Sequence, residues 1–242
     1  MAQDIAVITG ASGGIGAAIA RKIHARSGSD LRLALHCHKN LGAARKLSSD
    51  LPESFVIQAD LAQTAGRETL VQEVLKQGTP YVLINCAGLS KPYEPALDVT
   101  EAAFDVLIAA NLKAPLFLMK EFGKEMARAG SGVIVNVSSI LAHKTLAGSA
   151  IYRAGKAALE ELTKQFAMEL GPRGVRVNAV APGLIRTPMA DEIPESARAR
   201  IVSQISVGEM GSPDSVAEAV CHLIENDYIN GAVIPVDGGL GL

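Results

Sequence analysis

Hydrophobic residues in this chain are concentrated in seven short runs that are rich in valine, isoleucine and leucine. The runs are IAVIT at 5–9, LRLALH at 31–36, SFVIQA at 54–59, YVLIN at 81–85, GVIVNVS at 132–138, VRVNAVA at 175–181 and GAVIPV at 231–236. Each run is short, mostly apolar and bounded by turn-forming residues, which is typical of strands that are buried on both faces of a sheet. The pattern therefore predicts seven buried strands.

Longer segments between these runs repeat apolar residues every three or four positions, which is the period of a helix with one buried face. They span 15–25, 43–51, 68–76, 101–129, 151–170 and 216–225. Strands that alternate with such helices predict an α/β fold with a doubly wound, Rossmann-like parallel sheet and helices on both of its faces. No repeat or linker divides the sequence, so we expect a single domain over residues 1–242.

The segment 184–212 is a long region without a predicted strand. It contains Pro188, Pro194, Gly208 and Gly211, and a short charged helical pattern at 195–206. Long irregular segments in compact domains often close over a substrate. We interpret 184–212 as a candidate substrate lid, and the alternative is a surface helix without a functional role.

The composition argues against several classes of function. The 242 residues include 23 basic and 25 acidic side chains and carry a formal net charge of −2, whereas proteins that bind nucleic acid or anionic membranes usually have a strongly basic surface. Cys37, Cys86 and Cys221 are widely spaced and form no metal-ligand or disulfide pattern. The uncharged stretch 5–20 is too short and too polar to span a membrane. We expect a soluble cytoplasmic protein with no metal site and no nucleic-acid or membrane partner.

Glycines follow the first predicted strand and lead directly into the first predicted helix. The residues from Thr9 to Gly16 read T-G-x-x-x-G-x-G, with Gly10 and Gly14 as the other motif glycines. Glycine lets the backbone approach a pyrophosphate, whose charge is stabilised by the amides at a helix N-terminus. A tight strand–helix turn without a ligand also needs glycine, so the loop alone is only an indication of a nucleotide site.

Three further motifs follow the glycine loop in chain order. They are Asn85-Cys86-Ala87-Gly88 after the fourth strand, Tyr152-x-x-x-Lys156 in the helical segment 151–170, and Pro182-Gly183 after the sixth strand. With these four motifs the chain resembles the short-chain dehydrogenase/reductase family over nearly its entire length. It is most similar to the beta-ketoacyl-acyl carrier protein reductases of that family, through Gly174-Val175-Arg176-Val177-Asn178 and the closing Val236-Asp237-Gly238-Gly239.

The resemblance implies a catalytic set made of Asn111, Ser139, Tyr152 and Lys156. Tyr152 and Lys156 are four residues apart, so a helix places both on one face. A phenol has a pKa of about 10, and a cation at about 4 Å in an effective dielectric near 20 contributes on the order of 4 kcal/mol, enough to lower that pKa to about 7. We expect Lys156 to lower the pKa of Tyr152, Tyr152 to donate a proton to a substrate ketone, and Ser139 to hydrogen-bond the ketone oxygen.

Two sequence neighbours refine this set. Ser138 would point to the opposite face of a regular strand from Ser139, so we expect it to be structural, although a register slip of one residue would exchange the two serines. Pro115 lies four residues after Asn111 and has no amide hydrogen to bond the Asn111 carbonyl. We predict a local kink there and, as in the family, a water-mediated proton relay; the alternative is a proline tolerated at a bend, with Asn111 filling space.

The resemblance also implies a dinucleotide site. Its expected residues are Gly10, Ser12, Gly14, Ile15, Gly16, His38, Lys39, Asp60, Leu61, Asn85, Ala87, Gly88, Tyr152, Lys156, Pro182, Gly183, Ile185 and Thr187. NAD enzymes commonly have an acidic residue at the end of the second strand, where this chain has His38 and Lys39, which can pair with a 2′-phosphate. We therefore expect NADPH/NADP+ as the cofactor. Gly13 stands where many NADP-dependent relatives have a basic residue, and Asp60 could by its chemistry equally cap a helix.

The implied reaction is reduction of a 3-oxoacyl thioester, carried by an acyl carrier protein, to the 3-hydroxyacyl thioester. Segment 89–95, Ser149 and Glu209 depart from the residues usual in fatty-acid reductases, which favours a polyketide-like or aryl-polyene acyl group. His143 and Ser149 are candidate substrate contacts. Arg128 and Arg173 are candidate contacts for the acidic carrier, although ordinary solvated cations are an equal alternative.

Two other functions remain open at this stage. One is oxidoreduction of another small alcohol or ketone, such as a sugar or a steroid, by the same four residues. The other is a non-catalytic dinucleotide sensor on the same fold, which would not need the tyrosine and lysine that this chain has. Members of the family are usually tetrameric through helices equivalent to 101–129 and 151–170, so we expect a homotetramer.

Overall fold

The computed structural model describes residues 3–90 and 94–242. The strands are β1 (Asp4–Ile8), β2 (Leu31–Cys37), β3 (Ser54–Gln58), β4 (Thr79–Asn85), β5 (Gly132–Val137), β6 (Val175–Pro182) and β7 (Val233–Val236). The helices are α1 (Gly14–Ser27), α2 (Leu41–Asp50), α3 (Thr64–Gln77), α4 (Glu101–Ile108), α5 (Ala114–Ala129), α6 (Ala150–Leu170), α7 (Pro188–Asp191), α8 (Glu195–Val202) and α9 (Pro213–Glu225). Each strand and each long helix lies where the hydrophobic pattern predicts it.

The strands of the described residues form one parallel sheet in the order β3-β2-β1-β4-β5-β6-β7. The chain builds outward from β1 to β3 and then crosses back to place β4 on the other side of β1. The helices that follow β1 and β4 therefore lie on opposite faces of the sheet, and a crevice opens at its carboxyl edge. The doubly wound, seven-stranded fold predicted from the sequence is confirmed.

Apolar layers cover both faces of the sheet. One layer joins the sheet to α1, α2 and α9, and the other joins it to α3, α5 and α6. Because the central strands are buried on both faces, their sequences are nearly continuous in valine, isoleucine and leucine rather than alternating. This rigid support fixes the positions of the loops at the carboxyl edge.

The long apolar stretch 101–129 is two helices and not one. A π-helical turn, Ala109–Lys113, separates α4 from α5, and its last bond runs from the Ala114 amide to the Ala109 carbonyl. Pro115 cannot donate a hydrogen bond, so regular α-helical bonding through Asn111 is not available. The predicted irregularity at this place is confirmed, and it has the form of a π turn.

The stretch Glu101–Ala129 also has the length and apolar composition of a membrane span. In this structure Leu118, Met119 and Phe122 pack against the sheet, which accounts for much of that apolar character. Phe104 and Phe117 stay partly exposed. The stretch therefore has one face in the core and a second apolar face at the surface.

The candidate lid is joined to the domain at its base. Ile185 and Gly211 form a β-bridge, in which the Gly211 amide donates to the Leu184 carbonyl at 2.9 Å and the Arg186 amide donates to the Gly211 carbonyl at 2.9 Å. Helices α7 and α8 lie between these two points, and α8 ends at Val202, earlier than the predicted 206. Whether the segment closes over a substrate stays a prediction.

The core assignment can be tested by two leucine substitutions on α3. Leu70 is fully buried, whereas Leu75 is 41% exposed. We expect Leu70→Ala to lower the free energy of unfolding by about 2 to 5 kcal/mol, because it leaves a cavity, and Leu75→Ala to lower it by less than about 1 kcal/mol. Urea unfolding would measure both. Equal losses in the two variants would contradict the described orientation of α3.

Candidate active site

The glycine loop after β1 is held against the turn that follows β4. Gly10 has a φ of +69°, and a Cβ atom at this position would lie 2.9 Å from the Ala87 Cα. A Cβ at Gly14 would lie 2.8 Å from the Thr187 Cγ2. Only glycine allows both the backbone conformation at Gly10 and the two close approaches. The loop, the turn with Ala87 and the segment with Thr187 thus meet at the carboxyl edge of the sheet.

Thr9 connects the same two loops by hydrogen bonds. Its Oγ1 accepts from the amides of Cys86 at 2.9 Å and Ala87 at 3.0 Å and lies 3.2 Å from the Ile84 carbonyl, to which it donates. The glycine motif of the sequence includes Thr9, but it did not predict that the Thr9 hydroxyl would bond the backbone after β4. A threonine that ends a buried strand before a glycine turn is the signal for such a role, because its hydroxyl can satisfy loop amides.

His36 is a second residue whose role the sequence did not reveal. Its Nδ1 accepts from the Gly10 amide at 3.2 Å, and its Nε2 lies 3.0 Å from the Ala59 carbonyl. Burial lowers the pKa of His36, in spite of the Ala59 hydrogen bond and the nearby Asp60, so the neutral ring carries its proton on Nε2. The ring supports the glycine loop from the end of β2.

Residues expected at the adenosine end of a dinucleotide lie after β2 and β3. His38 Nε2 is 4.0 Å from Asp60 Oδ2, and both side chains are partly exposed. Asp60 Oδ1 accepts from the Ala62 amide at 3.1 Å, while the N-cap position of α3 is Gln63. The alternative that Asp60 caps a helix is therefore wrong. Lys39 is exposed just before Asn40, which caps α2.

The other expected cofactor residues also lie near this edge. Pro182 ends β6, Gly183 follows it, and a Cβ at Gly183 would lie 2.7 Å from the Asp237 Cα. Ile185 and Leu61 are buried. Their side chains would therefore pack beneath a bound dinucleotide and offer it little contact area. Ser12, Ile15 and Gly16 lie in the loop and in the first turn of α1.

These residues fit a dinucleotide. Gly13 is the N-cap of α1 and offers no side-chain cap, and the first turn of α1 holds no acidic residue. The amides of that turn are thus free of a side-chain cap and of a nearby carboxylate, which suits a pyrophosphate. The loop of Gly10, Gly14 and Gly16 would hold the phosphates, and Thr187 lies beside it.

Asn85 does not face the crevice. Its side chain is buried, and its Nδ2 donates to Asn136 Oδ1 at 2.9 Å. Asn136 in turn donates to Thr163 Oγ1 at 2.9 Å, so a buried polar chain links β4, β5 and α6. The structure thus places the side chain of Asn85 in a structural network and not on the expected cofactor surface.

Ser139, Tyr152 and Lys156 come together where β5 meets α6. The Ser139 side chain lies close enough to the Tyr152 hydroxyl to lower its pKa. Lys156 Nζ donates to the Val137 carbonyl at 2.7 Å and lies 5.7 Å from the centre of the Tyr152 ring. Ser138 points the other way and donates to Glu160 Oε1 at 2.6 Å. The strand register therefore selects Ser139, and not Ser138, as the partner of Tyr152.

The pKa values differ from the sequence expectation. Burial raises the pKa of Tyr152, and the nearby Ser139 side chain opposes this only in part. Burial also lowers the pKa of Lys156 to about 8. The expectation that Lys156 lowers the pKa of Tyr152 is wrong for the protein without its cofactor, because the ammonium is directed to the Val137 carbonyl and desolvation of the phenol dominates. Tyr152 thus holds its proton, as a proton donor must.

Asn111 joins this centre from the π turn. Its side chain is buried and bonds the Leu89 backbone twice, accepting from the amide at 2.9 Å and donating to the carbonyl at 2.8 Å. A Cβ at Gly88 would lie 2.8 Å from Asn111 Oδ1 and 3.7 Å from Lys156 Nζ. The glycine therefore lets Asn111 and Lys156 approach each other. The expected grouping of the four catalytic candidates is what the structure shows, and their catalytic roles stay predictions.

The remaining candidates are placed less directly. His143 Nε2 lies 2.9 Å from Glu160 Oε2, and Ser149, at the N-cap position of α6, donates to the Leu146 carbonyl. Arg128 ends α5 in an ion pair with Glu125, and Arg173 lies just before β6. Both arginines are at the amino edge of the sheet, so within one chain they are far from the reaction centre. Lys91, Pro92 and Tyr93 of the divergent segment lie outside the described residues.

The role of His36 generates a pH prediction. The pKa of His36 is lower in the folded protein than its value of about 6.5 in the unfolded chain. The folded state therefore has its full stability above about pH 6.5 and loses stability as the pH falls through the folded pKa. We expect the melting temperature of the parent to fall between about pH 7.5 and about pH 5.5, and to fall less in His36→Phe, which has no imidazole to protonate. Differential scanning calorimetry would measure this. His222→Gln, at an exposed position on α9, is the control, and a fall in His36→Phe as large as in the parent would rule out the buried neutral ring.

Comparisons with known proteins agree with this geometry. The profile of the family described as Enoyl-(Acyl carrier protein) reductase matches residues 10–241. A 3-oxoacyl-[acyl-carrier-protein] reductase of Rickettsia typhi is 37% identical over 236 residues, which cover 97% of this chain and 95% of that protein. A solved short chain dehydrogenase/reductase family protein has a TM-score of 0.89 at 30% identity and covers 100% of this chain and 99% of its own.

A second solved structure, a variant of actinorhodin polyketide ketoreductase with NADPH, has a TM-score of 0.89 at 29% identity and covers 99% of this chain and 97% of its own. The family match over residues 10–241 includes Asn111, Ser139, Tyr152 and Lys156. Sequence, fold and site geometry thus lead to one assignment: the chain is an oxidoreductase of the short-chain dehydrogenase/reductase family.

Proposed function

We propose that this protein is an NADPH-dependent reductase that converts 3-oxoacyl thioesters, presented by an acyl carrier protein, to 3-hydroxyacyl thioesters. The observation that supports this most directly is the meeting of Ser139, Tyr152 and Lys156 at the carboxyl edge, next to a glycine loop suited to a dinucleotide. The similarity to a 3-oxoacyl-[acyl-carrier-protein] reductase supports the substrate class.

The proposed chemistry divides between cofactor and protein. A bound reduced nicotinamide supplies the hydride for the ketone carbon. Tyr152 donates its phenolic proton to the ketone oxygen as negative charge develops there, and the Ser139 hydroxyl donates a hydrogen bond to the same oxygen. The product is the 3-hydroxyl group, and Tyr152 is left as a phenolate.

Lys156 stabilises that phenolate by its charge. Its ammonium is 5.7 Å from the ring centre and can serve only while protonated, and burial lowers its pKa to about 8. Activity in the reductive direction should therefore decline as the pH rises through this value. Asn111, next to Lys156 across Gly88, would hold the water that returns a proton from solvent.

The NADPH preference rests on the ribose end of the site. His38 and Lys39 stand at the end of β2, where NAD enzymes commonly place a carboxylate. The structural relative solved with NADPH supports the same choice. His38 Nε2 lies 4.0 Å from Asp60 Oδ2, which places both side chains at this end of the site.

The proposal for the acyl group and the carrier protein rests on residues around the reaction centre and at the surface. The departures at Ser149, Glu209 and segment 89–95 favour a polyketide-like or aryl-polyene acyl chain, with His143 and Ser149 near it and 184–212 as its lid. Arg128 and Arg173 lie at the amino edge of the sheet, so a carrier bound there would serve the reaction centre of a neighbouring subunit. We propose a cytoplasmic homotetramer that uses the exposed apolar face with Phe104 and Phe117.

Two alternative functions use the same fold. A reductase of another small ketone would use the same residues, and only substrate profiling separates it from the thioester reductase. A dinucleotide sensor would need the glycine loop but not Ser139, Tyr152 or the buried Lys156, and this chain has all three in one place.

The proton-donor role is tested by Tyr152→Phe. Loss of NADPH absorbance would be followed with acetoacetyl, long-chain and aryl thioesters on coenzyme A and on acyl carrier protein. We expect the parent to turn over and kcat of the variant to fall by about a hundredfold or more, with NADPH binding retained, because a general acid contributes roughly 10² to 10⁴ in rate. Tight NADPH binding by a parent that turns over none of these thioesters would overturn the substrate class.

The cofactor preference is tested by Lys39→Gln, with Lys46→Gln on α2 as the matched exposed control. We expect Lys39→Gln to weaken NADPH binding by roughly two- to fivefold, since one exposed ion pair contributes up to about 1 kcal/mol, and to leave NADH binding unchanged. Fluorescence titration at two salt concentrations would show the loss shrinking at high salt. An equal loss for NADH would mean that Lys39 does not contact the 2′-phosphate.

A further inference from the structure

Glu160 is a buried carboxylate that the proposed mechanism does not use. Its side chain is 5% exposed, and it lies on α6 two turns after Tyr152. Burying a carboxylate costs several kcal/mol unless it is paired and hydrogen-bonded, and an apolar residue of similar size would often be more stable at such a place. The contacts of Glu160 show what such a buried carboxylate can do here.

The two oxygens of Glu160 bind the two ends of one short turn. Ser138 Oγ donates to Oε1 at 2.6 Å, and His143 Nε2 lies 2.9 Å from Oε2. Ser139 lies between these two anchors, followed by a 3-10 turn at Ile140–Ala142. Within the turn, the Ala142 amide donates to the Ser139 carbonyl at 2.9 Å and the Lys144 amide to the Ile140 carbonyl at 2.8 Å.

This arrangement couples the serine to the helix that carries the tyrosine. Glu160 and Tyr152 belong to the same rigid helix, and Ser139 belongs to the turn that Glu160 holds at both ends. We infer that Glu160 is a positioning residue of the reaction centre, which acts through Ser138 and His143 to hold the Ser139 hydroxyl against Tyr152. The effect on the reaction rests on the proposed function, whereas the effect on the turn does not.

The charge of Glu160 has a second consequence at Lys156, one turn earlier on the same helix. Burial lowers the pKa of Lys156, and the Glu160 carboxylate opposes that shift. The titratable groups that face Lys156 in the described structure are Tyr152 and Glu160 on α6 and Cys86 after β4. Burial raises the pKa of the Cys86 thiol to about 12, so Cys86 is neutral where Lys156 titrates and Glu160 is left as the negative charge.

The test compares Glu160→Gln with Glu161→Gln, its exposed neighbour that pairs with Lys164. His143→Ala serves as a second variant at a half-exposed position, where folding is not at risk. The first readout is hydrogen exchange of the backbone amides of 138–144. We expect exchange to be several-fold faster than in the parent in Glu160→Gln and His143→Ala, and unchanged in Glu161→Gln.

The second readout is steady-state turnover of the thioester with NADPH over a range of pH. We expect kcat of Glu160→Gln to fall by about ten- to a hundredfold, as for a small misplacement of a reacting group, with KM for NADPH nearly unchanged. The loss of activity at high pH should begin at lower pH in Glu160→Gln, because Lys156 loses its opposing charge. If Glu160 only stabilised the fold, the pH at which activity is lost would be the same in Glu160→Gln as in the parent.

The two readouts separate failure of this inference from failure of the proposed function. If the parent turns over no thioester, the substrate class fails, and hydrogen exchange still decides whether Glu160 holds the turn. If Glu160→Gln exchanges and turns over like Glu161→Gln, the inference is wrong. If Glu160→Gln does not fold, His143→Ala decides: parent-like exchange and kcat in that variant overturn the inference, and faster exchange with lower kcat supports it.

Discussion

Burial of the Lys156 ammonium is the constraint around which the site is organised. The side chain is 5% exposed, and removing a cation from water disfavours its charged form, which lowers its pKa to about 8. The charge is retained because the Val137 carbonyl accepts from it at 2.7 Å and the Glu160 carboxylate lies one helical turn away. Those contacts fix the start of α6 against the end of β5, and Tyr152 and Ser139 meet as a result.

The remaining loops are brought to this place by the sheet. Because β1 and β4 are neighbours in the sheet, the glycine loop and the turn after β4 lie side by side at its carboxyl edge. Thr9 bridges them through its hydroxyl, and His36 supports the glycine loop from the end of β2. Gly88 then leaves space for Asn111 to approach Lys156. Each of these contacts joins segments that are distant in the chain.

Burial acts on the two ionisable groups of the site by favouring the neutral form of each, the phenol of Tyr152 and the amine of Lys156. In the protein without cofactor, the phenol of Tyr152 keeps its proton because burial raises its pKa. Reduction of a ketone needs a protonated donor at the outset, and a nearby cation only after the proton has left. Under the proposed function, Tyr152 is that donor and Lys156 is that cation.

The sequence by itself determined the fold and most of the site. Seven apolar runs were enough for the parallel sheet, since strands buried on both faces need continuous apolar sequence, and Pro115 was enough to expect the break at Asn111. Motif order also marked Ser139, Tyr152 and Lys156. The capping alternative for Asp60 and the lowered pKa of Tyr152 were wrong, and the side chain of Asn85 is bonded to Asn136.

Only the tertiary structure decided these last points, together with the roles of Thr9, His36 and Glu160. Hydrophobic periodicity is a property of one segment, so each strand and helix can be predicted from its own sequence. Desolvation and hydrogen bonding depend instead on which atoms of distant segments surround a group. His143 and Glu160 illustrate the difference: nothing in their spacing links them, and the packing of α6 on β5 brings the imidazole to 2.9 Å from the carboxylate.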